Sequence, residues 1–143
     1  MKAKTYLSQL KFLKADIRRV KMQLAELEAA ASGIKGIRYD LEKVQSSSGN
    51  PVEDSIIRYI SVKEKLSGLL LKYNEKYTQI TEQIDMVENV KYREILKQYF
   101  IEDKKLFQIA DHMRYDEKYV YNMFESALVI FEGKIMTKMK HSK

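Results

Sequence analysis

Leu106-Phe107-Gln108-Ile109-Ala110-Asp111-His112-Met113-Arg114-Tyr115-Asp116-Glu117-Lys118-Tyr119-Val120 decides the fold of the C-terminal third of this chain. Leu106, Ile109, Ala110 and Met113 recur at helical spacing over residues 105–113. Val120, Phe124, Ala127, Leu128, Phe131 and Ile135 do so again after Asp116, whose short acceptor side chain suits an N-cap. The residues between, from Asp111 to Asp116, read as a tight turn. Upstream, Tyr92, Ile95, Leu96, Tyr99 and Phe100 mark one face of a further helix over 90–101. A short helix, a turn and a longer helix make the helix-turn-helix plan.

Moving toward the N-terminus, the periodicity lengthens. Tyr6, Leu10, Leu13, Ile17, Val20, Leu24, Leu27, Ala31 and Ile34 alternate spacings of 4 and 3, the signature of a coiled-coil seam. A second stripe of the same kind runs through Val52, Ile56, Tyr59, Lys63, Leu66, Leu70, Tyr73, Tyr77, Ile80, Ile84 and Val87. Two seams in one chain predict an antiparallel helical hairpin. Gly33, Gly36 and the segment Ser46-Ser47-Ser48-Gly49-Asn50-Pro51 separate them, so residues 32–50 are expected to connect the two helices. Ile57, Ile60, Val62, Leu69 and Leu71 lie off the second stripe and are expected to pack a third helix or a second copy of the chain.

The expected fold is therefore all-α: a long antiparallel coiled-coil hairpin over 1–88, a three-helix helix-turn-helix over 89–135 and a basic tail over 136–143. Composition agrees, since 143 residues with 5 Gly and 1 Pro offer little punctuation for a sheet. The absence of Cys excludes a disulfide scaffold and any thiolate-ligated metal. The longest apolar run, Ala127-Leu128-Val129-Ile130-Phe131, is far short of the ~20 residues a bilayer span needs, and no signal-type segment follows Met1. Catalysis is not expected either. His112 and His141 stand alone, no glycine-rich phosphate loop is present, and neighbouring carboxylates such as Glu53-Asp54, Glu102-Asp103 and Asp116-Glu117 point to different sides of a helix. No metal or cofactor is expected.

The net charge of +6 favours a polyanionic partner, and its distribution says where. Residues 1–50 carry ten basic and five acidic side chains, residues 51–88 five and seven, and residues 89–143 eleven and eight. The second helix of the turn motif is itself close to neutral, with Lys118 between Glu117 and Glu125. The excess falls instead on Lys91, Arg93, Lys97, Lys104, Lys105 and Arg114 and on a tail with Lys134, Lys138, Lys140 and Lys143.

The stretch from Tyr92 to Tyr121 resembles sigma-factor region 4 and, more closely, the ArpU-type regulators of Gram-positive phages and prophages with a related group of Streptococcus phage proteins. Ile109-Ala110, Met113, Tyr115, Asp116 as a substitute cap, Val120 and Ala127-Leu128 carry the likeness. Tyr6-Leu7-Ser8-Gln9-Leu10, Val44-Gln45-Ser46-Ser47 and the Ser48-Gly49-Asn50-Pro51 loop extend it to the N-terminal half. Three positions depart from the pattern. Asp103 and Arg114 stand where the family has glycine, and Lys105 stands where it has a capping Ser or Thr. A positive φ forced on Arg114 would cost roughly 1 kcal/mol.

The resemblance implies a non-enzymatic, phage-encoded transcription regulator acting in the cytoplasm of a bacterial host, with double-stranded DNA as partner, host RNA polymerase as a further one, and late genes as targets. The coiled coil would supply a homo-oligomer, with a dimer favoured, because two half-sites strengthen binding that a few phosphate contacts leave weak. Read from the residues, the DNA-binding set is Lys104, Lys105, Arg114, Lys118, Tyr119, Tyr121 and Asn122. Asn122 suits a bidentate contact to adenine, Lys118 a guanine or phosphate, and Tyr121 a stacking or phosphate contact. Two glutamates on that face equally suit a protein-binding module, and a helix-turn-helix joined to a coiled coil also fits a small-terminase-like packaging subunit.

Overall fold

Leu7 and Phe131, far apart in sequence, lie fully buried in the same core. The computed structural model describes residues 2–32 and 51–138, so the expected connector beyond Ser32, with Ile34, and the end of the basic tail lie outside the described residues. All the described elements are helical, in the order α1 (Lys2–Leu7), α2 (Gln9–Ser32), α3 (Pro51–Asp85), α4 (Val90–Leu96), α5 (Leu106–Met113) and α6 (Glu117–Ile130). α4 continues as a π-helical stretch, Lys97–Ile101, and α6 as another, Phe131–Met136. Ser8 separates α1 from α2 only nominally, because its N–H still donates to Lys4 O and its carbonyl still accepts from Phe12 N–H. Among the described residues no helix is long and apolar enough to cross a membrane.

The chain divides into two compact units, residues 1–13 with 73–143, and residues 14–72. This division differs from one at residue 88. The first unit joins the N-terminal helix and the last turns of α3 to the helix-turn-helix, because Ala3, Leu7 and Leu10 share a core with Ile80, Ile84 and Val87 and with the turn-motif helices. At its centre Phe124 packs 4.5 Å from Tyr99 and 5.8 Å from Phe100, centroid to centroid. Burying an aromatic side chain of this kind contributes about 1.5–3 kcal/mol.

In the second unit Ile17 and Val20 of α2 are buried, Leu24 and Leu27 are half-buried, and Ala31 is exposed. The Tyr59 hydroxyl donates to Glu28 Oε1 at 3.1 Å, so α2 and α3 meet there. The buried stripe of α3 is not the one expected. Tyr59, Val62, Leu66 and Leu69 turn inward in this unit, and Tyr73, Lys76, Ile80, Gln83 and Val87 continue the alternation of 3 and 4 in the other, where Ile84 is also buried as expected. Of the expected stripe, Val52, Ile56, Lys63, Leu70 and Tyr77 are exposed. Val62 and Leu69 are thus seam residues, while Ile57, Ile60 and Leu71 do lie on the surface.

Candidate nucleic-acid interface

The helix-turn-helix is built by two helix ends. α5 ends in a Schellman motif: Arg114 takes the left-handed conformation (φ 60, ψ 44), its N–H donates to Asp111 O at 3.3 Å, and Tyr115 N–H donates to Ala110 O at 2.9 Å. The turn is therefore only Arg114-Tyr115-Asp116. Asp111, His112 and Met113, expected in the turn, form the last turn of α5 instead. Asp116 occupies the N-cap position of α6, although its side chain makes no capping bond.

The α4 end is one residue wider. Its π-helical last turn closes with Glu102 N–H on Lys97 O, after which Asp103 adopts φ 59 and Lys104 N–H reaches back to Gln98 O. Among the described residues Asp103 and Arg114 are the only non-glycine residues with positive φ. They are also the two positions where the resemblance expects glycine. At the third departure, Lys105, the missing cap is supplied in reverse: Gln108 Oε1 accepts from the Lys105 N–H at 2.8 Å.

Val120, Met123, Phe124, Ala127 and Leu128 fix which side of α6 faces the core. Lys118, Tyr119, Tyr121 and Asn122 are all exposed, as the reading of the sequence expects, but they do not share one edge. Tyr119, Asn122 and Ser126 line a groove against α4 with Asn89, Lys91, Tyr92 and Met123. Lys118, Tyr121 and Glu125 run about 100° round the helix, away from that groove. Glu125 is half-buried, so Glu117 is the more open of the two glutamates.

The cations sort by partner. Lys97 pairs with Asp85 at 2.6 Å, Lys104 with Glu102 at 3.3 Å and Lys134 with Glu88 at 4.0 Å, while Arg93 reaches Asp85 O at 3.5 Å. Lys104 is thus the weakest member of the expected set, since its charge already faces a carboxylate. Among the described residues Lys105, Arg114 and Lys118 have no ion pair.

Lys91, one of the cations expected to flank the motif, is in a different situation, because its partner is an aromatic ring. Its ammonium lies 5.2 Å from the ring centre of Tyr115, whose ring meets Tyr119 edge to face at 5.2 Å. The Tyr115 hydroxyl, and more distantly Tyr119, raise the Lys91 ammonium above the ordinary lysine value, so its charge persists to higher pH. Twenty-four positions separate Lys91 from Tyr115, and no local pattern links them; only the packing of the Arg114 turn against the start of α4 does.

Comparison with protein-family models, curated proteins and solved structures finds nothing that matches this chain. Among the described residues no group of three or more His, Cys, Asp or Glu side chains is placed to hold a metal ion.

Proposed function

We propose that this protein is a phage-encoded, DNA-binding transcription regulator of the ArpU type, with a sigma-region-4-like helix-turn-helix and a coiled-coil region for homo-oligomerisation. The observation that carries the reading is the Arg114 turn. It sets α6 against α5 with Lys118, Tyr121 and Asn122 open to solvent on its first two turns and with Lys105 and Arg114, unpaired, at the flanks. Such an arrangement offers base-edge donors and acceptors in the middle and phosphate-binding charges beside them. The coincidence of both left-handed residues with family glycines supports the resemblance. A dimer reading two half-sites would add the affinity that three or four phosphate contacts lack. Exposed Ile57, Ile60 and Leu71 on α3 support self-association. The protein acts without catalysis, in the host cytoplasm, on double-stranded DNA with host RNA polymerase as a second partner.

A second reading, a helix-turn-helix that docks protein within a regulatory or packaging assembly, is favoured by the exposure of Phe107 and Val129. Fluorescence anisotropy with promoter-region duplexes of the phage separates the two. A sequence-selective signal lost in Asn122→Ala supports the regulator. No binding at ~50 mM salt, where phosphate contacts are strongest, rejects it. A ring-like mass above a dimer would favour packaging.

A further inference from the structure

We infer that Lys91, held by Tyr115 and flanked by Tyr119, is a backbone-phosphate anchor for duplex DNA on the α4 side of α6, so that the duplex is gripped along both edges of that helix. The inference rests on the DNA-binding reading above and extends it to the groove that Lys91 lines with Tyr119 and Asn122.

Three observations carry it. First, the charge is usable. Lys97, Lys104 and Lys134 face carboxylates that offset them, whereas the partner of Lys91 is an aromatic ring, which holds an ammonium by its quadrupole without neutralising it. Second, the position is set in advance. A free lysine loses rotamer entropy when a phosphate captures it, and contact with Tyr115, itself seated in the core by the Schellman turn, restricts Lys91 before any ligand arrives. Third, the place is right. Lys91 lines the same groove as Asn122, the residue best suited to read a base edge, so a strand presenting a base to Asn122 would carry its phosphates past Lys91 and the Tyr119 hydroxyl.

The test uses the full chain and a labelled duplex of mixed sequence, titrated by anisotropy between ~50 and ~200 mM salt. Lys91→Gln should reduce the slope of log affinity against log salt by about 0.9, the value of one phosphate contact, and weaken binding about eightfold near ~0.1 M salt. Lys91→Arg should keep the wild-type slope. Lys65→Gln, on α3 in the other unit, should change nothing. Helical content measured alongside keeps the comparison among folded proteins. A Lys91→Gln slope equal to wild type, in a protein that binds, overturns the anchor and leaves the regulator reading standing. A wild-type protein that binds no duplex overturns both.

Discussion

The Tyr6 hydroxyl donates a 2.6 Å hydrogen bond to Oε1 of Gln83, joining two helices across 77 positions of sequence. The Tyr6 ring also lies 6.2 Å from Phe131 and 6.0 Å from the Lys76 ammonium, so one residue ties the N-terminus to α3 and to the end of α6. Tyr6→Phe keeps the ring and removes only the hydroxyl. It should destabilise the protein by about 1 kcal/mol at neutral pH in urea unfolding. Burial pushes the Tyr6 hydroxyl above its ordinary value of 10.0, so the native state holds that proton more tightly than the unfolded chain does. This contribution is complete below the unfolded value and is lost as pH rises through the folded one. Unfolding midpoints measured upward from pH ~9 should therefore fall for wild type and fall less for Tyr6→Phe; parallel curves would show that the hydroxyl does not titrate with folding.

Asp103 and Arg114 hold left-handed conformations that glycine adopts without steric cost. Asp103→Gly and Arg114→Gly should each raise stability, by about 0.5–1 kcal/mol after glycine's larger backbone entropy is subtracted. Arg114→Val should lower it by more, because a β-branched side chain tolerates positive φ least. The Arg114 pair also separates stability from binding. Arg114→Gly should melt higher yet bind duplex DNA more weakly, with a salt slope smaller by about 0.9, and an unchanged slope would remove Arg114 from the interface.

The short helices at the C-terminus were legible because each carries its own amphipathic period and its own boundary. Val120, Phe124, Ala127, Leu128, Phe131 and Ile135 are all buried as their spacing predicts. The α3 seam was only half legible. The expected and observed stripes share Tyr59, Leu66, Tyr73, Ile80, Ile84 and Val87, and elsewhere the buried position moves by one residue, to Val62, Leu69 and Lys76. Hydrophobicity alone prefers Tyr77 to Lys76 and cannot choose between Leu69 and Leu70, whereas Tyr6 takes the ammonium of Lys76 against its ring and donates its hydroxyl proton to the Gln83 amide oxygen. A partner from the other end of the chain decided the register. For the same reason the exposed Lys118, Tyr119, Tyr121 and Asn122 were readable from one helix, while the ion pair that occupies Lys104 and the ring that holds Lys91 were not.

Gln98 is a polar residue inside the core, 1% exposed, on the π-helical end of α4. Its Nε2 donates to Glu94 Oε1 at 3.0 Å, but its own Oε1 is buried with no hydrogen-bond partner. A buried acceptor left unsatisfied costs about 1–3 kcal/mol, more than the roughly 1 kcal/mol that one hydrogen bond near the surface returns. Gln98→Met, close in volume and without the carbonyl, should raise stability by about 1 kcal/mol, seen as a Tm higher by roughly 4–8 °C in a unit of this size. Gln98→Ala should do the opposite, since a cavity replaces the side chain. A less stable Gln98→Met would mean that the amide holds the π-helical turn itself.

Glu117 sets stability against binding. It occupies the first turn of α6, where a carboxylate complements the positive end of the helix by about 0.3–1 kcal/mol at low salt. Yet that same turn would enter the groove of a phosphate-lined duplex, and there the charge opposes binding at every sequence. Glu117→Gln should therefore lower the melting temperature slightly while raising affinity for duplex of any sequence. The gain should be largest at ~50 mM salt and fade as screening shortens the reach of the charge. Half-buried Glu125 lies farther along the helix, so Glu125→Gln should change affinity less. If Glu117 serves selectivity by disfavouring non-specific contact, the ratio of cognate to mixed-sequence affinity should shrink in Glu117→Gln even as both affinities rise. An affinity that does not respond to Glu117 at any salt would place the first turn of α6 outside the DNA contact and favour the protein-docking surface formed around Phe107.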